Sequence, residues 1–461
     1  MVALGAFALP QGAVLADDAE GAKGLFTRFG SYGRANVGFD ADGNAPRDTN
    51  VIGHGPRLFE GSYVELEHFA SLESGDGVRA DVVMTLALFD PLAHYTGIYG
   101  GEGWALRNAY VRLHEDFTGI SVWAGSRMYR GDDIYLLDYW PLDNLNTVGG
   151  GVRVPFRTFD FRAHVGVNRL EDAFQTQTLS VPALTFGSQD VVVLDRQRVI
   201  GSFRAQWSDD IGEDGLGMKA VAYAEAHQLP AGQSVPSELV GGGTAMYGIE
   251  ESLENLDPEQ GYVLGGQLGL FGFGPDSHLN LFARYASGLA AYGETGIPFG
   301  VNGLGSAEGA SEFVVAFSGN WETSAFAVMG GGYLRMFADA DGEDVDLDDV
   351  TEGGVVIRPL LFFGEHFQQG FEVSYQQLRP HGIDADGDAQ RIPEVWQLSV
   401  MEVFSWLKGS YKRPQVRLVY TASLSNEAAQ ARFAEGDRRK PEDVEHFVGL
   451  SAEWWFNSST Y

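Results

Sequence analysis

Apolar and polar residues alternate at period two through most of this chain. In Tyr32-Gly33-Arg34-Ala35-Asn36-Val37-Gly38-Phe39, one face carries Tyr, Arg and Asn, and the other Ala, Val and Phe. In Gly449-Leu450-Ser451-Ala452-Glu453-Trp454-Trp455-Phe456, Leu450, Ala452, Trp454 and Phe456 share an apolar face, with Glu453 and Trp455 opposite. Successive strand residues point to opposite sides, so each segment reads as a strand with one apolar and one wet face. The pattern predicts about eighteen strands: 26–39, 55–70, 78–90, 104–115, 119–127, 148–155, 159–170, 189–207, 217–228, 259–273, 277–288, 310–318, 322–337, 352–363, 369–379, 393–408, 412–424 and 445–456.

The gaps between these segments alternate in length. Asp40–His54, Asp90–Gly103, Leu229–Pro258 and Ser425–Asp443 are long and rich in Gly, Asp and Asn. Between them lie tight turns such as Ser71–Gly77, Asp116–Thr118, Gly319–Trp321 and Gly409–Tyr411. A membrane barrel keeps long loops on its outer rim and short turns on its periplasmic rim, whereas a soluble sandwich has no reason to segregate them. The polar faces carry Arg34, Glu65, Arg107, Arg112, Arg358 and Glu453, more charge than a dry interior could pair. Aromatic residues gather near segment ends, at Phe26, Phe156, Phe159, Trp321 and Trp454–Phe456, as interfacial girdles require. The expected fold is an all-β transmembrane antiparallel barrel with its apolar face outward.

One long gap departs from the others. Residues 128–147 contain Ile134, Leu136, Leu137, Tyr139 and Trp140, which a solvated loop would not expose. This third long loop is expected to fold into the barrel, its Leu and Ile on the wall and its Asp, Arg and aromatic residues toward the lumen. A loop packed at a subunit interface is the alternative.

Composition narrows the class. Formal net charge is −32, which disfavours nucleic-acid binding because phosphate recognition needs cationic surface. The chain has no Cys, so disulfides and thiolate chemistry are excluded. Asp-Ala-Asp-Gly recurs at Asp40–Gly43, Asp339–Gly342 and Asp384–Gly387, in predicted long loops. Such runs suit turns, and could bind Ca²⁺ weakly through oxygen ligands, although none has EF-hand spacing. Residues 1–16 are mostly small and apolar, and Val14-Leu15-Ala16 before Asp17-Asp18 resembles a signal-peptidase site. Residues 1–16 therefore read as a signal-peptide remnant and 17–461 as one barrel domain. No Gly-x-Ser-x-Gly, His-Glu-x-x-His or phosphate-binding Gly-Lys-Ser/Thr motif supports an enzyme, and no cofactor is expected.

Several motifs resemble those of the maltoporin-like carbohydrate-selective outer-membrane porins. Phe29-x-x-Tyr32-x-Arg34 is similar to that family's first strand, and Trp123-Ala124-Gly125-x-Arg127-x-Tyr129 with Asp133 and Asp138 to its fifth strand and inward loop. Ile357-Arg358-Pro359 with Glu372 and Tyr375, then Arg413-Pro414-x-x-Arg417, resemble its late strands, and Glu453-x-Trp455-Phe456 its closing strand. The resemblance implies an eighteen-stranded homotrimeric barrel among outer-membrane lipid and lipopolysaccharide, passing linear oligosaccharides along aromatic rings flanked by charged groups. The physics is sound, because pyranose faces stack on aromatics while hydroxyls need partners when stripped of water.

Carried over residue by residue, the resemblance implies an aromatic track of Tyr32, Tyr63, Phe363 and Trp455, with Phe282 added because it shares a face with Asn280 and Arg284. Polar partners would be Arg34, Arg57, Glu65, Arg107, Asp133 and Asp138. The constriction would involve Trp140, Tyr139, Arg130 and Tyr135, and one of Tyr95, Tyr99 or Trp104 would reach a neighbouring subunit. The chain also departs from the family. Trp140 stands where the constriction usually has Tyr, Gly131 where a polar-track Arg is expected, and the first-loop Cys pair is missing. The expected function is a sugar channel. A general or cation-preferring diffusion porin is the alternative, and a surface receptor built from the long loops could coexist with either.

Overall fold

A computed structural model describes residues 22–59, 61–89, 103–183, 186–211, 215–234, 254–342, 349–382, 391–440 and 442–457. Eighteen strands form one sheet. They are β1 (Ala22–Phe39), β2 (Tyr63–Ser74), β3 (Val78–Phe89), β4 (Trp104–Glu115), β5 (Ser121–Arg130), β6 (Asn144–Phe156), β7 (Phe159–Asn168), β8 (Arg198–Ile211) and β9 (Leu216–Leu229). The second half comprises β10 (Glu259–Phe271), β11 (His278–Gly288), β12 (Ser311–Glu322), β13 (Phe326–Ala338), β14 (Val350–Phe363), β15 (Phe367–Pro380), β16 (Glu394–Ser405), β17 (Gln415–Ser425) and β18 (Val444–Phe456). Each strand pairs antiparallel with its sequence neighbours, and β1 closes the ring on β18 from Ser31↔Phe456 to Phe39↔Val448. Closure leaves no free sheet edge, the condition for β-structure to span hydrocarbon.

The alternation keeps its expected sense. Val37, Leu66, Leu450 and Phe456 face outward and are exposed, whereas Tyr32, Glu65, Glu67 and Glu453, on the opposite parity, are buried inside. Exposed aromatics ring both rims: Phe26, Phe156, Phe159, Trp321 and Phe404 at the short-turn end, and Trp104, Tyr262, Tyr285 and Trp396 at the long-loop end. Aromatic belts of this kind mark the two interfaces of a membrane.

Every predicted strand has a counterpart, but some boundaries shift. The segment expected at 55–70 begins only at Tyr63, because residues 49–58 belong to a first loop turned into the lumen. The segment expected at 189–207 merges two elements. Ser188–Asp195 pairs with Thr176–Pro182 in a separate hairpin, and the barrel strand starts at Arg198. Gly319–Trp321, expected as a turn, lies within β12, and the chain reverses at Thr323–Ala325, where Thr323 Oγ1 accepts the Phe326 N–H at 3.1 Å. Strand-like composition on both sides of a turn hides its position, since a turn needs only one capping hydroxyl.

Three loops fill the lumen. In loop 3, residues 131–143, Ile134, Leu136, Leu137 and Leu142 are buried against Val221, Phe282, Val314 and Met329 of the wall. The wall makes room with glycine. A Cβ on Gly331 would sit 2.3 Å from Ile134 Cγ2, and one on Gly265 2.5 Å from Leu142 Cδ1. Loop 1 adds Val51 and Ile52 to the same cluster. Loop 6 contributes the buried turn Leu289–Tyr292. The signal-peptide segment, Asp384–Gly387, Tyr95, Tyr99 and the last four residues lie outside the described residues.

Candidate functional site

Loop 3 leaves the wall because β5 peels away from β4. Their pairing ends at Ala109↔Ser126, and beyond it Asn108 Oδ1 accepts the Met128 N–H at 2.9 Å. A bulge between Thr85↔Asn108 and Leu86↔Leu106 leaves Arg107 without a cross-strand partner. Bulges re-aim side chains, and here Arg107 turns to Tyr63 Oη at 2.8 Å and Glu65 at 3.5 Å. The loop is pegged at both ends. Asp132 accepts from Lys219 Nζ at 2.6 Å and Gln267 Nε2 at 2.7 Å, and Asp143 is ion-paired with Arg204. Ile134 N–H donates to Tyr139 O at 2.7 Å across the loop, and Asp138 adopts φ 49°, a left-handed turn that Asp tolerates.

The tip of loop 3 brings together much of the expected site. Tyr32 and Tyr63 meet at a tilt of 54° with ring centroids 5.9 Å apart. Arg34 lies 5.2 Å from the Tyr63 ring and donates to Tyr32 Oη at 3.2 Å. Arg57, from loop 1, donates to Tyr32 Oη at 2.7 Å and to Tyr135 O at 3.1 Å, and its guanidinium stacks 4.9 Å over the Tyr135 ring. Tyr135 meets Trp455 edge to face at 6.1 Å, and its hydroxyl bonds Glu453 at 2.7 Å. Arg413 joins the cluster, 2.8 Å from Glu453 and 4.3 Å from the Trp455 ring. Arg57, Arg358, Arg417 and Glu453 also line a small gap of about 10 Å³, room for one water.

Other expected residues lie elsewhere. Phe363 is on the outer face, 56% exposed, packed on Phe367 in the short-turn girdle. In β14 the even positions Glu352, Val356, Arg358 and Leu360 are buried, so Phe362 is the inward ring. Phe282 does face inward with Asn280, but it is 4% exposed beneath loop 3 and offers no free face. Tyr139, expected at the constriction, is buried between His54, stacked at 4.0 Å, and Tyr333 at 5.0 Å. Burial lowers the pKa of that loop-1 imidazole to about 4, so the stack holds a neutral ring at pH 7. Arg130 lies 3.9 Å over the Trp140 ring and bonds Asn144 at 2.6 Å, which ties it to Trp140 rather than to the Tyr32 cluster.

Asp133 and Asp138 stay half-buried on loop 3, with Arg57 the strongest charge acting on Asp133. Trp104 is 65% exposed on the outer face of the long-loop rim. Asp40 accepts from Asn44 N of its own loop at 2.7 Å and from Arg438 of the β17–β18 connection at 2.6 Å, and no metal-ligand cluster forms among the described residues.

Tyr411 and His278 were not expected. Tyr411 packs edge to face on Tyr135 at 5.6 Å and lies 5.9 Å from His278, extending the ring series toward the short-turn rim. Tyr411 sits in a turn, outside any alternating stretch that could have flagged it.

In sum, a closed barrel with an apolar exterior holds a lumen narrowed by an inward third loop and lined by aromatic and charged groups. The LamB porin family model matches residues 27–456, from β1 to the end of β18. Among solved structures, the chain is similar to the outer membrane protein OmpT of Vibrio cholerae in its trimer form, at 10% identity over 94% of this chain and 99% of that one, TM-score 0.42. It is also similar to OccAB1 of Acinetobacter baumannii, at 11% identity over 94% and 98%, TM-score 0.42, and to OprD of Pseudomonas aeruginosa, at 10% identity over 96% and 99%, TM-score 0.42. The match along nearly the whole chain places it: the protein belongs to the LamB porin family and is a channel of the bacterial outer membrane.

Proposed function

We propose that the channel carries sugars, favouring linear, maltodextrin-like oligosaccharides. The carrying observation is the ribbon of rings and guanidinium groups that crosses from β1–β2 to β17–β18 through the tip of loop 3. Tyr63, Tyr32, Tyr135 and Trp455 follow one another, with Arg57 joining the first pair to the second. Ring faces suit the apolar faces of pyranoses, and Arg34, Arg57 and Arg107 lie where hydroxyls could exchange hydrogen bonds. Many weak contacts in series permit passage without trapping. Of the residues expected in this role, Tyr63, Trp455, Arg34, Arg57 and Arg107 are half-buried and are retained as contacts, Tyr32 and Glu65 are buried and are retained as supports bonded to Arg34, Arg57 and Tyr63, Tyr135 and Tyr411 are added, and Phe363 and Phe282 are dropped.

We also propose a homotrimer, as the family resemblance implies, with the exposed Trp104 near the contact. A general or cation-preferring porin is the second reading, favoured by the net charge of −32. Liposome swelling separates the two. A sugar channel admits linear oligosaccharides faster than branched ones of equal mass, and saturates. Entry governed by size alone would support the general porin.

A further inference from the structure

Away from the sugar ribbon, the lumenal faces of β3 to β7 carry Arg79, Arg112, Arg127, Arg153 and Arg162 on neighbouring strands. In a chain of net charge −32 this concentration of cations is unusual. Four of the five are held by carboxylates. Arg112 makes two bonds to Asp81, at 2.9 and 2.6 Å, and Arg79 lies 3.7 Å from Asp81 and 3.8 Å from Asp116. Arg153 and Arg162 share Asp160 at 2.7 and 3.0 Å.

Arg127 is held differently. Its guanidinium lies 4.8 Å from the Tyr110 ring, 5.1 Å from Trp123 and 5.4 Å from Tyr129. His164 stacks behind Trp123 and Tyr129, both at 5.5 Å, and is itself fixed by Thr147 at 2.6 Å and Ser202 at 3.2 Å. Among the described residues no carboxylate pairs with Arg127 and no acceptor takes its N–H groups. Aromatic faces fix a guanidinium's orientation while leaving its planar fork of donors open, and that fork matches a carboxylate or phosphate.

We propose that Arg127, set in this aromatic box, forms a lumenal subsite for the anionic group of a passing solute, a carboxylate or a phosphate. The site is separate from the sugar ribbon and requires only an open lumen. An acidic saccharide could therefore use both, its ring on the ribbon and its charge at Arg127 in successive positions.

Planar bilayers at about 0.1 M salt, where the Debye length is about 10 Å, test the idea with D-glucuronate and glucose 6-phosphate as probes. The expected result is saturable block of the wild-type ion current by one or both probes. Glucuronate alone would mark a carboxylate site, glucose 6-phosphate alone a phosphate site, and both a general anion site; each supports the proposal. Arg127→Gln should weaken block about tenfold, the scale of one charge-assisted hydrogen bond in a wet lumen, and Arg127→Lys should retain most of it. No block in the wild type, or equal block in wild type and Arg127→Gln, overturns the proposal. Heat-modifiable gel migration checks that the variants form barrels, and the wild-type and Arg127→Lys data stand even if Arg127→Gln does not fold. Block by maltohexaose, recorded in the same membranes, reports the sugar ribbon separately, so loss of either function is recognisable.

Discussion

Tyr135 is the hub of the loop 3 tip. It reaches Arg57, Arg413, Tyr411, Trp455 and Glu453, and so joins the tip of loop 3 to the β17–β18 wall. Glu453 anchors the other side, shared by Tyr135, Arg413, Gln415 and Arg417. Removing its charge leaves two guanidinium groups facing each other, and breaking a buried pair in this way costs about 3–5 kcal/mol in dry interiors, less beside lumenal water. Glu453→Gln is therefore expected to loosen the loop tip, seen as more frequent current fluctuations in single-channel records than in the wild type. For the ribbon, Tyr32→Ala and Trp455→Ala should each weaken sugar block about 3- to 10-fold, from the ~0.5–1.5 kcal/mol scale of aromatic stacking, with far smaller changes in ion current. Equal sugar block in wild type and both variants would remove the ribbon assignment. At this scale the sequence was only partly legible. Alternation placed Tyr32, Arg34 and Glu453 on the wet face, yet one position separates Phe363 on the outside from Phe362 on the inside, and similarity of motif does not resolve parity in a Phe-Phe pair. The pegs Asp132, Lys219, Asp143 and Arg204 pair across large sequence separations, which no local pattern reveals.

The inward loops are the elements that narrow the barrel's lumen. Loop 3 was legible because its Leu and Ile residues could not be solvated, a composition signal that needs no partner information. Loop 1 was not: Val51 and Ile52 lie in the expected Gly-, Asp- and Asn-rich gap Asp40–His54, where two apolar residues give no signal of an inward turn, and Leu58 lies in the segment expected as strand 55–70. The glycine seats of loop 3 yield a direct test. Gly331→Val places branched carbons where Ile134 now sits and should push the loop into the lumen, lowering single-channel conductance; unchanged conductance would show that Ile134 is not held against this wall.

Loop 6 carries a pH dependence. Glu294 lies outside the spanning strands, accepts the Asn146 N–H at 2.6 Å, and has its other carboxylate oxygen buried without a partner. Burial pushes its pKa from 4.5 up to about 7. The folded loop thus binds the proton more tightly than the unfolded one. The resulting stability is complete below about pH 4.5 and is lost as pH rises through about 7. Hydrogen exchange at Leu289–Tyr292, corrected for intrinsic rates, should show less protection at pH 8 than at pH 5, and Glu294→Gln should abolish the difference. A difference that survives in Glu294→Gln would assign the effect to another group.

Across the whole molecule, one alternation accounts for both surfaces. The outward residues meet lipid between two aromatic belts, and the inward residues build a wet, ion-paired lumen. The charge of −32 resides largely in acidic loops, while arginine is concentrated inside, so net charge alone is a poor guide to what the lumen prefers. The strand count and the sense of the barrel were legible from rhythm, because closure leaves every strand under the same constraint. Assembly belongs to this scale too: a homotrimer should migrate without heating as a band near three times the 50.0 kDa chain and collapse to one chain on boiling. A single-chain band under both conditions would exclude it.

The central claim, that the ribbon makes this outer-membrane channel a sugar channel, is tested most directly by planar-bilayer conductance titrated with maltohexaose. The predicted result is saturable block in the wild type and weaker block, at nearly the same open conductance, in Trp455→Ala. Wild-type conductance that stays constant at saturating sugar would contradict it.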